Sequence, residues 1–284
     1  MIPINYVFAF FGLLIGSVFD IKSREVPDWL NFSMVGLGFG TAVIASIQFA
    51  QWSFIVSSII GFAVAFIMAM IFYKVGQWGG GDAKALMGLG ALIGIDINGG
   101  FPIFVILILN IFVIGAFYGS LWSVVLALKH RQKFKKEFIK LVHSKRVMFY
   151  RKILFALTVF GLIMLFSFTP LYLKPLVLGL TALIFFSFYF YLYSKAVEKS
   201  SMEKQVSLDQ ITEGDWVLDK VIVKNKVIYS PNKEGIEQKD IDRLLKLKDK
   251  GFKVRIKEGI PFLPSFFLAF ILLLLLGNWL MILF

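Results

Sequence analysis

Residues 76 to 94 read GQWGGGDAKALMGLGALIG, and they hold a single acid, Asp82, behind three consecutive glycines, Gly79, Gly80 and Gly81. A carboxylate beside a glycine-studded apolar run is costly near lipid, so its presence marks a functional position. The apolar stretch after it, Ala83 to Ile95, is short for a membrane span. Thirteen helical residues cover about 20 Å, against a hydrocarbon core of about 30 Å. Such a segment must be surrounded by other helices rather than by lipid. The glycine run permits irregular backbone at membrane depth, where an extended chain could approach it. Gly90 and Gly94 stand four apart, as do Gly36 and Gly40, and each pair is expected to expose a smooth face for close helix approach.

The rest of the chain supplies those helices. Its 284 residues are 58% hydrophobic and carry a formal net charge of +12. Apolar blocks run over Ile4 to Phe19, Leu30 to Ala50, Ser53 to Tyr73, Ala83 to Ile95, Phe101 to Leu128, Ile153 to Phe168, Leu171 to Tyr193 and Ile260 to Phe284. The expected fold is an all-α polytopic membrane protein of about eight membrane segments, the fourth short and buried, with a small α+β cytoplasmic module before the last helix. The first block has no basic residue ahead of it and no small-residue cleavage site, so it reads as a retained helix with its N-terminus outside. The C-terminus then also lies outside. This topology puts every Lys and Arg except Lys174 on the cytoplasmic side, as the positive-inside rule requires. The basic excess therefore needs no nucleic acid to explain it.

The expected organisation follows. Residues 1–128 form a catalytic membrane domain, 129–152 a basic cytoplasmic linker, 153–193 a further transmembrane pair, 194–258 the small module, and 259–284 a C-terminal transmembrane helix. In the linker, Phe134, Phe138, Leu141 and Val142 alternate with basic residues at roughly helical spacing, a pattern that suits either an anionic leaflet or an ordinary basic loop. In the module, VIVKNKVIY reads as strand and Ile236 to Lys250 as an amphipathic helix. At about 60 residues it is too small to bury a large core alone, so it is expected to lean on the membrane domain.

The chain has no cysteine and only two histidines, His130 and His143, in the basic stretch. Thiolate zinc sites, cysteine nucleophiles and paired-histidine metal sites are thereby excluded. Chemistry must rest on carboxylates, hydroxyls or lysines. Asp20 ends the first apolar block and Asp82 begins the fourth, which places both near one face, whereas Asp96 lies across the membrane. Asp20 and Asp82 are the candidate pair. Asp82 alone could be a helix cap, and Asp20 an interfacial charge. A buried pair of aspartates also suits a proton- or cation-coupled transporter, which stays open as the alternative.

At these residues the chain resembles the GxGD membrane aspartyl proteases, specifically the type IV prepilin and archaeal preflagellin (archaellin) leader peptidases. Gly79-Gly80-Gly81-Asp82 supplies the pattern, with Gly79 and Gly81 in its two glycine positions, and Asp82-Ala83-Lys84 followed by LMGLGALIG extends it. The family's first aspartate falls on Asp20, and Val26-Pro27-Asp28 follows with the usual Pro-Asp. The resemblance covers roughly the first 128 residues and the EGIPFLPSF stretch before the last helix. The Cys-rich region of the bacterial members is missing, and the apolar pair Ile153 to Tyr193 is additional to a six-helix core.

What the resemblance implies is an aspartic endopeptidase with Asp20 and Asp82 catalytic and no metal or cofactor. It would remove short basic leaders from pilin-like or archaellin precursors with class III signal peptides, at the cytoplasmic face of the cell membrane. Its partners are then those precursors and membrane lipids. Glu25 and Asp28 could draw in the positive leader, and Lys84 could stabilise anionic Asp82 or reach the headgroups. Helix ends suggest a division of labour: Asp82 starts a helix, which favours the ionised base, while Asp20 ends one, which favours the acid.

Overall fold

The computed structural model describes residues 3–96, 102–223, 226–232, 235–246 and 253–279, and the chain is mostly helical. The helices, in chain order, are α1 (Ile4–Ser23), α2 (Asp28–Gln48), α3 (Ser53–Lys74), α4 (Gly80–Ile93), α5 (Ile103–Lys129), α6 (Arg131–Val142), α7 (Lys145–Ser167), α8 (Lys174–Val197), α9 (Gln238–Leu245) and α10 (Leu263–Leu276). Among the described residues, six helical stretches are long and apolar enough to cross a membrane: α1, α2, α3, α5, α7 and the run Leu171–Met202 that contains α8. The fourth and last of the eight expected segments are shorter helices, α4 and α10, and the end of the last segment, 280–284, lies outside the described residues.

Two compact units divide the chain, one of Met1–Trp122 with Gln205–Phe284 and one of Ser123–Lys204. In the first, α4 lies among α1, α2 and α3, and Ala83, Ala85, Leu86, Gly88, Leu89, Gly90, Ala91 and Leu92 are all buried. Small residues make that approach possible. A methyl group on Gly61 or Gly90 would collide with the backbone of the other, and one on Gly38 would collide with Ala91. The expected glycine face of α2 is thus corrected to the opposite side of the helix: Gly36 and Gly40 look onto open space, and Gly38, two residues from each, makes the contact.

A helix that stops inside a bundle leaves carbonyls without partners. Here other helices supply the donors. Ser58 Oγ donates to Ala91 O at 2.6 Å, and Asn5 Nδ2 donates to Leu92 O at 2.6 Å. Beyond them Gly94, at φ +68°, turns the chain against Ser57, and the N–H of Ile95 reaches Ser57 O at 2.9 Å. Helix α10 packs along α1, burying Leu263, Phe266, Ala269, Phe270 and Leu273 in the same core as Ala9, Leu13 and Trp78. Trp78, just before the glycine run, stacks on Phe72 with centroids 4.5 Å apart and meets Phe266 edge-on at 5.3 Å.

The rest of the first unit is the small module. Strands β1 (Glu203–Ser207), β2 (Trp216–Val217) and β5 (Lys253–Lys257) form a sheet in the order β1-β5-β2, and β3 (Val221–Val223) pairs antiparallel with β4 (Lys226–Tyr229). Leu208, Val217, Val221, Tyr229, Ile236, Ile241, Leu244 and Val254 close its core beneath α9. The helix expected over Ile236 to Lys250 is α9, and residues 247–250 of that stretch lie outside the described residues.

In the second unit the stretch expected as a linker, 129–152, is itself helical. It forms α6 and the first two turns of α7, whose N-terminus is capped by Ser144 Oγ accepting from the Val147 N–H at 3.3 Å. Phe134 on α6 meets Tyr193 on α8 edge-on at 5.6 Å, and Gly161 lets α7 pack against Thr181 of α8. Many large apolar side chains of α7 and α8, such as Phe155, Phe166 and Phe186, face outward, as lipid-facing residues would.

Candidate active site

Asp20 lies in the last turn of α1 and is buried, with 7% of its surface exposed. Its Oδ2 accepts the backbone N–H of Leu263 at 2.9 Å. Leu263 is the first residue of α10 and Pro264 the second, so the carboxylate occupies the N-terminus of that helix, where free N–H groups await a partner and a proline costs nothing. The chain leaves α1 through Arg24, whose N–H returns to Asp20 O at 3.0 Å and whose φ of 62° is left-handed. After that turn Val26 packs against the helical core while Glu25 stays exposed, and Pro27 opens α2.

Asp82 sits in the first turn of α4. Its Oδ2 accepts the Gly79 N–H at 3.2 Å, and the Ala83 N–H returns to Gly79 O at 3.1 Å, so Gly79 is the cap and Asp82 the acid that completes it. A Cβ on Gly81 would stand 3.0 Å from the Val26 side chain, whereas one on Gly79 would meet only Asp82 Oδ2 at 3.6 Å. Gly81 is therefore where the glycine run packs against the Val26-Pro27-Asp28 segment. Asp20 and Asp82 lie within reach of each other's charge.

Both aspartates thus face helix N-termini, Asp20 that of α10 and Asp82 that of α4. The division into acid and base expected from helix ends loses its basis, because the N-terminus of α10 offsets the C-terminal end of α1 at Asp20. Among the described residues no group of three metal-ligating side chains gathers.

The auxiliary residues fall in different places. Lys84 Nζ lies 2.5 Å from Asp28 Oδ1 and 5.7 Å from the centre of the Phe32 ring, so its charge is directed to Asp28. Glu25 is exposed, and its charge is felt by Asp215 of the module. Burial pushes the Asp215 carboxyl above its ordinary value, the backbone and side chain of Thr212 pull it down, and Glu25 and Glu258 push it up again.

Four further residues border the site. Arg24 Nε lies 3.7 Å from Glu258 Oε1, and its guanidinium carbon stands 5.4 Å from the centre of the Trp122 ring. Trp122 in turn lies against Tyr118, one turn earlier on α5, with centroids 5.7 Å apart. The Tyr118 hydroxyl is within range of the charges of Asp20 and Arg24. Sequence signals for this border were partial: Arg24 stands between Asp20 and Glu25, and Tyr118 and Trp122 share a helix face by their spacing, but nothing in the order of residues joins α5 to the end of α1.

The fold and site define a polytopic membrane protein that brings two aspartates from separate helices, one behind a glycine triplet, to one end of a helical bundle. Residues 7–120 match the type IV leader peptidase family. Three preflagellin peptidases are similar over 90 residues: those of Methanocaldococcus jannaschii at 41% identity, Methanococcus maripaludis at 39% and Methanococcus voltae at 40%. Each match takes in 32% of this chain and 38%, 39% and 38% of the respective relative, so the chain spans about two-fifths of the length of the curated relatives it matches. These matches make residues 7–120 similar to the type IV leader peptidase family, in line with the resemblance read from the sequence.

Proposed function

We propose that this chain is a membrane aspartyl endopeptidase that removes the short basic leader from archaellin or type IV pilin-like precursors at the cytoplasmic face of the membrane. The observation that carries this reading is the placement of Asp20 at the end of α1 and Asp82 at the start of α4, two helices that pack together, with each carboxylate held by a backbone N–H, in the segment that matches the peptidase family. The preflagellin peptidases named above support archaellin precursors as the substrate.

Two neighbouring carboxylates resist ionising together and share one proton. The ionised member takes a proton from a water held between them as that water attacks the scissile carbonyl carbon. The protonated member hydrogen-bonds the carbonyl oxygen and passes its proton to it, giving a neutral diol. Collapse of the diol returns one proton to a carboxylate while the departing nitrogen gains another, and the C–N bond breaks. The N–H groups of Leu263 and Gly79 hold the two side chains in place throughout. The cytoplasmic orientation rests on the distribution of Lys and Arg, of which only Lys174 falls on the other side.

Incubating the purified chain with an archaellin precursor and weighing the products tests the reading. A product shortened by the leader supports it, and an intact precursor after prolonged incubation under conditions where a preflagellin peptidase cleaves it counts against it. Impermeant labelling of Lys226→Cys in intact cells would reverse the orientation, and labelling of Lys174→Cys alone would support it.

A further inference from the structure

Two hydrogen-bond donors beside Asp20 have no acceptor. The Tyr118 hydroxyl and the Arg24 Nη1 are both buried atoms, and neither has a hydrogen-bond partner among the described residues. Both contact one ring: the Arg24 guanidinium carbon stands 5.4 Å and the Tyr118 ring 5.7 Å from the centre of the Trp122 ring. Arg24 is further fixed by its left-handed backbone, its N–H to Asp20 O, and Glu258 on its Nε. A buried donor without an acceptor costs about 1–3 kcal/mol, so two of them against the same ring are suited to a ligand that supplies acceptors.

The surrounding charges decide which acceptor. Glu258 sits on the Arg24 Nε and Asp20 lies within range of the Arg24 charge, so acids of the protein already answer that charge and a further anion gains little there. A neutral acceptor suits it. The peptide carbonyl is the neutral acceptor that a leader brings in quantity, and on one edge of an extended chain carbonyls recur at every second residue. The acids also suit the basic side chains such a leader carries.

We propose that the Tyr118 hydroxyl and the Arg24 Nη1 form a donor pair that binds backbone carbonyl oxygens of the extended substrate beside Asp20. This rests on the peptidase reading above and adds a substrate-binding role for two residues. Trp122 and Glu258 act through them as positioning residues.

The test uses the full chain in micelles, with Asp82→Asn as the uncleaving background and a synthetic archaellin leader peptide spanning the cut as the probe. Tyr118→Phe and Arg24→Lys, each introduced into that background, are expected to weaken peptide binding about three- to tenfold, the loss of one hydrogen bond. Tyr118→Phe is expected to leave the melting temperature unchanged or raised, because the hydroxyl it removes has no partner among the described residues. That second readout separates substrate binding from a structural role. Unchanged affinity in both variants overturns the proposal, as does a lowered melting temperature for Tyr118→Phe with unchanged affinity. If the unmodified chain cleaves no precursor, the peptidase reading itself falls and takes the proposal with it. Cleavage by the unmodified chain together with unchanged binding in the variants defeats the proposal alone.

Discussion

The carboxylate of Asp20 accepts the backbone N–H of Leu263 at 2.9 Å and so ties together residues 243 positions apart. The first helix ends where the last described helix begins, and the junction is one of the two candidate catalytic groups. Asp82 makes the equivalent contact locally, through Gly79. Each aspartate is therefore oriented by a backbone donor at a helix N-terminus, the preorganisation a catalytic carboxylate needs.

The acids near Asp20 should not contribute equally to leader recognition. Asp28 already faces Lys84, while Glu25 is free of any such cation in the described structure and lies toward Asp215. Glu25→Gln is expected to raise KM for a Lys-bearing leader about two- to fivefold, more than Asp28→Asn does, and high salt should shrink the effect. Lys84→Gln, by releasing the charge of Asp28, should lower KM. Steady-state kinetics at two ionic strengths checks this, and a larger loss from Asp28→Asn than from Glu25→Gln would reverse the assignment.

Glycines on α2, α3 and α4 should differ sharply in tolerance. Gly61→Ala and Gly90→Ala each force a methyl into the facing backbone, and overpacking of that kind costs about 1–3 kcal/mol. Gly36→Ala and Gly40→Ala meet open space, and alanine favours a helix over glycine by up to about 1 kcal/mol. Thermal melts in micelles should therefore drop for the first pair and hold or rise for the second.

In the module, Arg255 grips Asp219 through Nη2 at 2.7 Å and Nε at 3.1 Å, with its backbone N–H adding a third bond at 3.0 Å. The hydrogen bonds of the Arg255 side chain outweigh the upward push of burial and, with the Arg255 backbone N–H and charge adding to them, hold the Asp219 carboxyl below its ordinary value. A depressed acid stabilises the fold above its unfolded value of about 3.9 and loses that contribution as pH falls through its folded value. Both partners are well exposed, so the contribution at neutral pH is only about 0.2–1 kcal/mol. Asp219→Asn should accordingly speed hydrogen exchange of the Leu218 amide, which bonds Arg255 O at 2.8 Å, at pH 7 but much less near pH 3. An equal acceleration at both pH values would mean that charge is not what Asp219 contributes.

Much of this architecture is legible in the order of residues. Long apolar runs announce α1, α2, α3, α5, α7 and α8, and the shortness of Ala83 to Ile95 requires the burial that α4 shows. Gly79 to Asp82 and the Val26-Pro27-Asp28 segment mark the site, and they touch through Gly81 and Val26. What sequence could not reach is what depends on the angle between helices. Helical periodicity does not say which glycine of α2 faces α4, so Gly38 was missed. It does not say that α10 delivers an N–H to Asp20, or that Tyr118 and Trp122 of α5 come to lie beside Arg24. Lys84 was equally open, since a flexible cation takes whichever neighbouring acid the fold brings within reach.

The most direct measurement is precursor processing by Asp20→Asn and Asp82→Asn, followed by mass spectrometry of the archaellin and paired with a melt of each variant. Asparagine keeps an acceptor for the N–H of Leu263 or Gly79 but cannot carry the shared proton. Both variants are expected to melt within a few degrees of the unmodified chain and to process precursor at less than about one-thousandth of its rate. Asp20→Ala, which leaves the buried Leu263 N–H unmet, should lose the activity and also about 1–3 kcal/mol of stability. Processing at the unmodified rate by either asparagine variant would remove that aspartate from the chemistry and contradict the two-aspartate mechanism.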